Sequence, residues 1–396
     1  MELTYNSIYE TFRREVRAFL AEHWPPSDAP QHSRKSDYKQ TFRRLAVERG
    51  YLYRSVPRAY GGSEQSPDLL KAQIIRTEFS AVGAPMEEPG IGTSMLVPTL
   101  LECGTEALKQ RFIPETLTGD IRWAQGYSEP NAGSDLASLR TRAELRNGQW
   151  HINGQKIWST LAQHAHYMFL LARTEPDAPS KYEGISYLLV DLRQPGVRIR
   201  PLKQMTGSAE FCEVFFDDAT TPADWLVGGR GEGWRVSKAT LNHERSMIGG
   251  AESSVELFEK LLSLARKSNF EGVPALAHPI MRERLSVLAG EVQAHLYSSY
   301  RQLSMTAHGQ NPGSITLMNK LVNTNISHKV AAIAQDLVGD AFLLAPPTGS
   351  TRGAGPEKWN LRFFASLGLT IGGGTSNIQR NIIAERGLGL PREKNV

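Results

Sequence analysis

Residues 150–174 read WHINGQKIWSTLAQHAHYMFLLART, a stretch rich in aromatic and aliphatic residues that is interrupted by glycine and polar residues. Three further segments of the same kind follow along the chain: ISYLLVDL at 185–192, VRIRPL at 197–202 and FCEVFFDD at 211–218. In VRIRPL, Val197 and Ile199 alternate with arginines, which is the period of two expected for a half-exposed strand. The pattern predicts a small antiparallel β domain of about 100 residues.

Helical periodicity occurs on both sides of this β region. Near the N-terminus, apolar residues recur at steps of three and four, at Ile8, Phe12, Val16 and Phe19. After the β region, a long segment that starts near Pro279 keeps helical spacing, at Leu285, Leu288, Val292, Leu296 and Leu303. Another helix is predicted over LMNKLVNTNISHKVAAIAQDLV at 317–338. The lack of alternation between strands and helices argues against a Rossmann sheet, and we expect an α+β protein that is mostly helical.

The composition is that of an ordinary globular protein, with 40% hydrophobic and 22% charged residues among 396. The net charge of +4 is small and the basic residues are scattered, which argues against a nucleic-acid surface but suits a small phosphate-bearing ligand. Cys103 and Cys212 are far apart and lack ligand spacing, so neither a disulfide framework nor a metal site is expected. The N-terminal residues contain no apolar run typical of a signal peptide or membrane helix, and we expect a cytoplasmic protein.

A glutamate falls on the inward face of a helix predicted over residues 238–266. Apolar residues mark that face at seven-residue steps, at Leu241, Ile248, Val255 and Leu262, with Ala251 and Phe258 between them. Glu244 lies three residues after the first of these and four before the second, on the same side. A carboxylate on an apolar face is costly unless it is paired or used in chemistry. Both an ion pair with Arg245 or His243 and a catalytic role remain open on periodicity alone.

Two glycine-rich segments are candidates for binding phosphate or a polarised oxygen. GGRGEGW at 228–234 lacks the strand, loop and lysine of a nucleotide-binding unit, and it is interpreted as a turn that leads into the next helix. TIGGGTSNIQR at 370–380 is better placed, because Thr375 or Ser376 can cap a helix that runs to Gly387. Amides that precede such a helix can donate hydrogen bonds to an anion or a polarised oxygen.

The segment YSEPNAGSDLASLRTRA at 127–143, followed by residues 150–174, resembles the acyl-CoA dehydrogenase family of flavoproteins. The similarity extends over most of the chain: GTEALKQRFIPETLTGD at 104–120, EVFFDDATTP at 213–222 and TSNIQRNIIAERGLGLPRE at 375–393. The resemblance implies an N-terminal helical domain (1–122), a central β domain (123–232) and a C-terminal four-helix bundle (233–396). It also implies that FAD lies between the last two domains, next to an acyl-CoA.

The resemblance assigns two groups of residues to the flavin and the substrate. The residues implied to contact FAD are Gln125, Tyr127, Ser128, Gly133, Ser134, Trp158, Ser159, Thr160, Thr375 and Asn377, with Gln335 and Gly339 reaching the FAD of a neighbouring subunit. The residues implied to contact the substrate are Ser134, Arg245 and Gly373.

The family reaction removes an α-proton and a β-hydride from a thioester, and FAD accepts the hydride. Many members carry the catalytic glutamate in the loop where this chain has Gly373, whereas another branch carries it on the helix at the position of Glu244. The resemblance therefore implies that Glu244 is the base, and that the backbone amide of Gly373 holds the thioester oxygen. We expect burial to raise the pKa of Glu244 above the value of about 4.3 for a free glutamate.

One segment departs from the family pattern, at ARKSNFEGVPALAHPIMRERL (265–285). The arginine that usually contacts the flavin is displaced to Arg266, and Pro279 stands where a glutamine is usual, which weakens the expected contact with FAD between subunits. The family implies a homodimer or homotetramer, and related bacterial chains also form heteromers with a homologous chain.

Three classes of function remain open. The first is an acyl-CoA dehydrogenase of fatty-acid and lipid metabolism that passes electrons to electron-transferring flavoprotein. The second is another flavoenzyme on the same fold, such as a desulfinase, an oxidase or a hydroxylase; rapid reaction of reduced flavin with O₂ would favour the latter two. The third is a non-catalytic subunit of a heteromeric dehydrogenase, which the presence of Glu244 disfavours. The chain length, branching and ring content of the acyl group are not specified by these motifs.

Overall fold

The computed structural model describes residues 7–25, 35–343 and 357–391. The chain divides into two compact units, one formed by Met1–Leu202 with Glu210–His243 and the other by Lys203–Ala209 with Glu244–Val396. No helix in the described part of the chain is both long enough and apolar enough to cross a membrane.

The first unit begins with a group of helices: α1 (Ser7–His23), α2 (Lys35–Glu48), α3 (Leu69–Val82), α4 (Val97–Cys103) and α5 (Glu106–Thr118). Side chains cap two of them, because Asp68 accepts a hydrogen bond from Lys71 N at the start of α3 and Thr105 does so from Leu108 N in α5. The predicted stripe of α1 is confirmed at Val16 and Phe19, which are buried. It is wrong at Ile8, which is 67% exposed because it lies in the first turn, beyond the core.

Seven strands form one sheet in the first unit: β1 (Trp123–Gly126), β2 (Arg142–Arg146), β3 (Gln149–Thr160), β4 (Tyr167–Arg173), β5 (Ile185–Asp191), β6 (Val197–Leu202) and β7 (Phe211–Pro222). The strand order is β1-β4-β2-β3-β7-β6, and β5 also pairs with β4. The strand prediction is therefore confirmed, but the sheet is mixed rather than antiparallel, because β4 runs parallel to both β1 and β2.

Both faces of the sheet centre are buried. Along β4, Tyr167, Phe169 and Leu171 belong to the core that also contains residues of the N-terminal helices. The alternate residues Met168 and Leu170 pack in a second core with side chains of β3, β5 and β7. Because successive strand residues point to opposite faces, the continuous apolar run of β4 is explained by burial on both sides.

The second unit is helical. Its first helix, α6 (Gly233–Ile248), crosses the boundary between the units. The other helices are α7 (Ala251–Ala265), α8 (Pro279–Ala307), α9 (Ile315–Val338), α10 (Glu357–Leu369) and α11 (Ser376–Ile382). Between α7 and α8, the strands β8 (Asn269–Phe270) and β9 (Val273–Pro274) form a hairpin. Apolar side chains of α7, α8, α9 and α10 share one core. The order of helical, β and helical regions expected from the sequence is confirmed.

The helix predicted over residues 238–266 is wrong in one respect. The chain leaves the helix after Ile248 and begins α7 at Ala251, with Gly250 in an extended conformation between them. Glycine is the poorest helix former after proline, and two successive glycines, Gly249 and Gly250, stand at this break. A single apolar stripe therefore does not run along the whole segment. On α7 the expected Ala251 and Phe258 are buried, whereas Val255 and Leu262 are half-buried and Leu261 is buried in addition.

Candidate functional site

In the first unit, the two segments expected to flank a flavin lie side by side. Ile157 N donates a hydrogen bond to the carbonyl oxygen of Ser128 at 2.9 Å. Ser159 Oγ donates to the carbonyl oxygen of Gln125, also at 2.9 Å. The structure thus brings residues 125–128 together with residues 157–160, although about thirty positions separate them along the chain.

Trp158 has an unusual conformation within β3. Its φ is +62°, and the pairing of β3 with β7 is irregular between Lys156 and Ser159. Its side chain is 58% exposed, although its edge contacts the ring of Phe211. A positive φ in a non-glycine residue costs of order 1 kcal/mol and is concentrated at ligand sites. Trp158 is therefore an exposed aromatic residue on a backbone conformation that is typical of ligand sites.

The other expected residues of this unit divide by their exposure. Gly133, Ser134 and Thr160 are exposed, Gln125 and Ser128 are half-buried, and Ser159 is fully buried. The ring of Tyr127 lies in the core, edge-on to Phe169 and Tyr187. Only Gly133, Ser134 and Thr160 among these therefore present their surface freely to a ligand within this unit.

A buried ion pair, which sequence reasoning missed, holds the loop after β1. Lys156 is 0% exposed, and its Nζ donates to Glu129 Oε1 at 2.9 Å and to the carbonyl oxygen of Tyr127 at 3.0 Å. Glu129 also accepts hydrogen bonds from the amides of Arg140 and Thr141, at 2.7 and 2.8 Å. Both members of the pair lie inside the quoted motifs, but nothing in their separation of 27 residues indicates the contact.

The pKa values of this pair reflect two opposing effects. Burial lowers the pKa of Lys156 to about 8, against the attraction of Glu129, so Lys156 remains mostly protonated at pH 7. Burial alone would raise the pKa of Glu129, but Lys156 and the hydrogen bonds from Thr141 and Arg140 together lower it. Glu129 is therefore ionised and committed to holding the loop.

In the second unit, the three glycines form a turn before α11. Gly373 and Gly374 have φ values of +64° and +91°, which glycine adopts without strain. Thr375 caps the helix as predicted, because its Oγ1 accepts a hydrogen bond from Ile378 N at 3.3 Å. Within the described residues, no backbone carbonyl accepts a hydrogen bond from the amides of Gly373, Gly374 or Thr375. These amides are thus available to an external acceptor.

Two buried side chains hold the carbonyl groups of this turn. Lys320 Nζ donates to the carbonyl oxygen of Gly374 at 2.6 Å, and Gln379 Nε2 donates to that of Gly373 at 3.1 Å. Lys320 is 2% exposed and Gln379 is 1% exposed. Sequence reasoning missed both. Lys320 could have been found, since it lies on the inward face of α9, one turn before the buried Thr324.

Glu244 is half-buried on α6, less buried than its position on an apolar stripe predicts. Its charge raises the pKa of Lys320, although burial, the larger effect, lowers it. Lys320 therefore contacts the glycine turn and lies within electrostatic range of Glu244. The charge of Glu102 raises the pKa of His243, although burial, the larger effect, lowers it. The side chain of Arg245 lies outside the described residues.

The remaining expected residues lie at helix ends of the second unit. Gln335 is half-buried near the end of α9, and its carbonyl oxygen accepts a hydrogen bond from the amide of Gly339, which has a φ of +62°. Asn377 is exposed on α11, where its Oδ1 accepts from Arg380. In the segment that departs from the family pattern, Arg266 follows the last residue of α7 and Pro279 is the first residue of α8.

Three family models match successive parts of the chain. They describe the acyl-CoA dehydrogenase N-terminal domain (residues 8–120), middle domain (124–219) and C-terminal domain (231–388). Acyl-CoA dehydrogenase IpdE1 of Mycobacterium tuberculosis is 38% identical, with 97% of this chain and 98% of the relative covered. IpdE1 of Mycolicibacterium smegmatis is 42% identical over 80% of this chain and 79% of the relative.

Solved structures agree. A chain of the ChsE4-ChsE5 complex from M. tuberculosis superposes with a TM-score of 0.77 at 28% identity, covering 99% of this chain and 100% of that one. The Tcur3481-Tcur3483 steroid ACAD superposes with a TM-score of 0.75 at 26% identity, covering 99% and 100% of the two chains. The chain therefore belongs to the acyl-CoA dehydrogenase family and is an enzyme of that kind.

Proposed function

We propose that this protein catalyses the FAD-dependent α,β-dehydrogenation of an acyl-CoA thioester to the trans-2-enoyl-CoA. The observation that carries the proposal is the glycine turn, in which no described backbone carbonyl uses the amide of Gly373 and Lys320 holds the carbonyl of Gly374. Lys320 also lies within electrostatic range of Glu244. A carboxylate base and free amide donors are the two protein groups that α-proton abstraction from a thioester requires. Both belong to the second unit.

Glu244 is proposed to be the base. The α C–H bond breaks and its proton passes to the carboxylate, while the electron pair forms the new double bond as the β-carbon loses a hydride. FAD, when bound, supplies the acceptor for that hydride. No glutamate is available in the turn at Gly373, so the carboxylate on α6 takes the role that the loop residue has in many relatives.

The amide of Gly373 is proposed to hold the thioester oxygen. Negative charge grows on that oxygen as the α-proton leaves, and a donor already fixed in place stabilises it without reorganisation. The amide is not used by any described backbone carbonyl, and hydrogen bonds hold the carbonyls of Gly373 and Gly374. The absence of a side chain at Gly373 therefore does not remove the donor.

We infer that FAD is the cofactor, and the exposed indole of Trp158 supports this inference within the first unit. The residues proposed to contact FAD are Gln125, Tyr127, Ser128, Gly133, Ser134, Trp158, Ser159, Thr160, Thr375 and Asn377, with Gln335 and Gly339 toward a neighbouring subunit. Tyr127 is buried and its carbonyl oxygen accepts a hydrogen bond from Lys156, so its proposed contact with FAD is supported by the family resemblance alone. Ser134 and Arg245 are proposed to contact the acyl-CoA.

We also propose a division into three domains, with boundaries at 122/123 and 232/233. The positions of the family matches support it.

The acyl group is proposed to carry a ring, and electrons are proposed to pass to electron-transferring flavoprotein. The support for a ring is the similarity, at 26% identity, to a steroid ACAD.

Anaerobic titration of the purified yellow protein tests the whole proposal, with butanoyl-, octanoyl-, hexadecanoyl- and 3-cyclohexylpropanoyl-CoA as the panel. We expect the flavin absorbance to bleach, most rapidly with the cyclohexyl thioester. Absence of bleaching with every member in a protein that contains FAD would contradict the proposal.

A second candidate is a subunit of a heteromeric dehydrogenase. The chain between Arg266 and Pro279 forms a β8–β9 hairpin at the segment where the family pattern departs, and structural relatives include a complex of two differently named chains. A self-sufficient enzyme is expected to form a dimer or tetramer that contains FAD. Two measurements distinguish the self-sufficient enzyme from the heteromer subunit. Light scattering gives the oligomeric state, and the flavin content is compared between protein expressed alone and protein co-expressed with a homologous chain. Flavin that appears only on co-expression would favour the heteromer.

A further inference from the structure

The ammonium group of Lys320 is buried in the second unit, at a site with two interactions. Its Nζ donates to the carbonyl oxygen of Gly374 at 2.6 Å. The charge of Glu244 attracts it, as the effect on its pKa shows. Burying an ammonium group is costly unless acceptors and opposite charge compensate. The compensation at Lys320 comes from the two parts of the proposed catalytic apparatus.

The hydrogen bonds to the glycine turn fix the direction of two of its amides. Lys320 and Gln379 draw the carbonyls of Gly374 and Gly373 toward α9 and α11. In a planar trans peptide the carbonyl and the following amide point in opposite directions. The amides of Gly374 and Thr375 therefore point away from the two buried side chains. A change at Lys320 would release the Gly374–Thr375 peptide and, with it, the orientation of the turn.

We propose that Lys320 is a positioning residue for the dehydrogenation. Its ammonium group holds the carbonyl of Gly374, the residue after the proposed donor Gly373, and so helps to keep the turn in one conformation, while its positive charge acts on the proposed base, Glu244. This inference rests on the proposed function, and it assigns to Lys320 a role that acts through the glycine turn. A purely structural role would not need a charge, because an apolar side chain of similar length fills a buried position at least as well.

The test compares Lys320→Met with Lys329→Met in the FAD-containing protein. Lys329 lies on the same helix, but it is half-exposed and pairs with Glu291. The substrate is the panel member that reduces the flavin fastest. We expect Lys320→Met to lower kcat about 10- to 100-fold, with KM changed less than about threefold, because misplaced catalytic groups slow the chemical step more than binding. Lys329→Met should match the wild type. Lys320→Arg, which keeps charge and donors, should recover at least part of the lost kcat.

A second measurement does not depend on substrate. The turn is closed by hydrogen bonds from the amides of Gly372 to the carbonyl of Gly368, at 3.0 Å, and of Ser376 to that of Thr370, at 3.1 Å. Hydrogen exchange of the peptide that spans 368–377 should be faster in Lys320→Met, and unchanged in Lys329→Met. If no panel member reduces the wild-type flavin, the proposed function fails, while this exchange result still decides whether Lys320 holds the turn.

Two outcomes overturn the inference. One is a Lys320→Met protein with wild-type kcat or with wild-type exchange over 368–377. The other is a Lys320→Met protein that loses FAD or unfolds, with no recovery in Lys320→Arg, because that result assigns Lys320 to folding alone.

Discussion

Two buried lysines hold two loops in this protein, and they do so differently. Lys156 contacts a carboxylate, Glu129 Oε1, at 2.9 Å, and that carboxylate accepts two further backbone hydrogen bonds. Lys320 contacts a neutral carbonyl at 2.6 Å and is attracted by the charge of Glu244. The carboxylate in the first unit is therefore saturated with donors and suited to structure. The glutamate near Lys320 is the one that we assign to chemistry.

The largest expected effect is on turnover, at Glu244. Replacing Glu244→Gln removes the proton acceptor but keeps the shape of the side chain, so kcat should fall about 10²- to 10⁴-fold. FAD content and acyl-CoA binding should be nearly unchanged, as measured by flavin absorbance and calorimetry. Glu256→Gln, at an exposed glutamate of α7 that pairs with Lys260, is the matched control. Near wild-type turnover in Glu244→Gln would place the base elsewhere.

The corresponding change in the first unit should affect stability instead. Glu129→Gln breaks the buried pair and leaves Lys156 without its carboxylate, so the free energy of unfolding should fall by about 3–5 kcal/mol. Urea denaturation measures it, with Glu144→Gln as a control at an exposed glutamate that pairs with Arg146. A loss below about 1 kcal/mol would show that the amides of Arg140 and Thr141 suffice to hold the loop.

The two loops also differ in how much room they leave for a side chain at a nearby glycine, Gly154 in the first unit and Gly374 in the second. A Cβ at Gly154, φ +149°, would lie 2.7 Å from the Cα of Thr141. One at Gly374, φ +91°, would lie 2.9 Å from Nε2 at the end of the Gln379 side chain and 3.5 Å, an ordinary contact distance, from Ile378. Because backbone cannot move aside as a side chain can, Gly154→Ala should cost about 1–3 kcal/mol and more than Gly374→Ala. Thermal unfolding compares them, with Gly309→Ala, where φ is +71° and no atom lies within 4 Å, as a control for backbone strain alone. Equal losses in all three would refute the steric explanation.

The smallest expected effect is a pH dependence of the free energy of unfolding that arises from Lys156. Burial lowers its pKa to about 8 in the folded protein, from 10.5, so between these values the unfolded chain binds more protons. Stability relative to Lys156→Met should therefore rise as the pH increases from 7 to 9, by on the order of 1 kcal/mol. Denaturation of both proteins at several pH values measures the difference. A difference that falls with increasing pH would contradict the lowered pKa.

Local patterns predicted much of the fold. Alternation and apolar runs located five of the sheet's strands, and periodicity located α8 and α9, because these signals depend on burial of one side or both. The motifs also indicated which loops meet. Periodicity missed the break at Gly249–Gly250, since apolar residues at seven-residue steps continue across it. The parallel pairing of β1 with β4 was missed because it depends on tertiary contacts between distant segments.

The sequence predicted the proposed catalytic residues of the site better than the residues that hold its loops in place. Glu244 was chosen from a stripe that the structure interrupts, yet it lies near Lys320, which the same test on α9 would have identified. Gln379 and Glu129 were not predictable from spacing, because each acquires its role from a loop carbonyl or a lysine brought close by the fold.

The shared core of the first unit has a consequence for synthesis on the ribosome. One apolar cluster runs from Val16 and Phe112 through Tyr167 and Tyr187 to Val236, so the N-terminal helices and one face of the sheet bury each other. Helices α1 to α5 are complete once residue 118 has been made, but the sheet that covers their apolar side chains needs roughly 120 more residues. At 5–20 residues per second, synthesis of those residues takes about 6–24 s. During that interval the nascent chain presents an uncovered apolar surface, which favours aggregation until the sheet is complete.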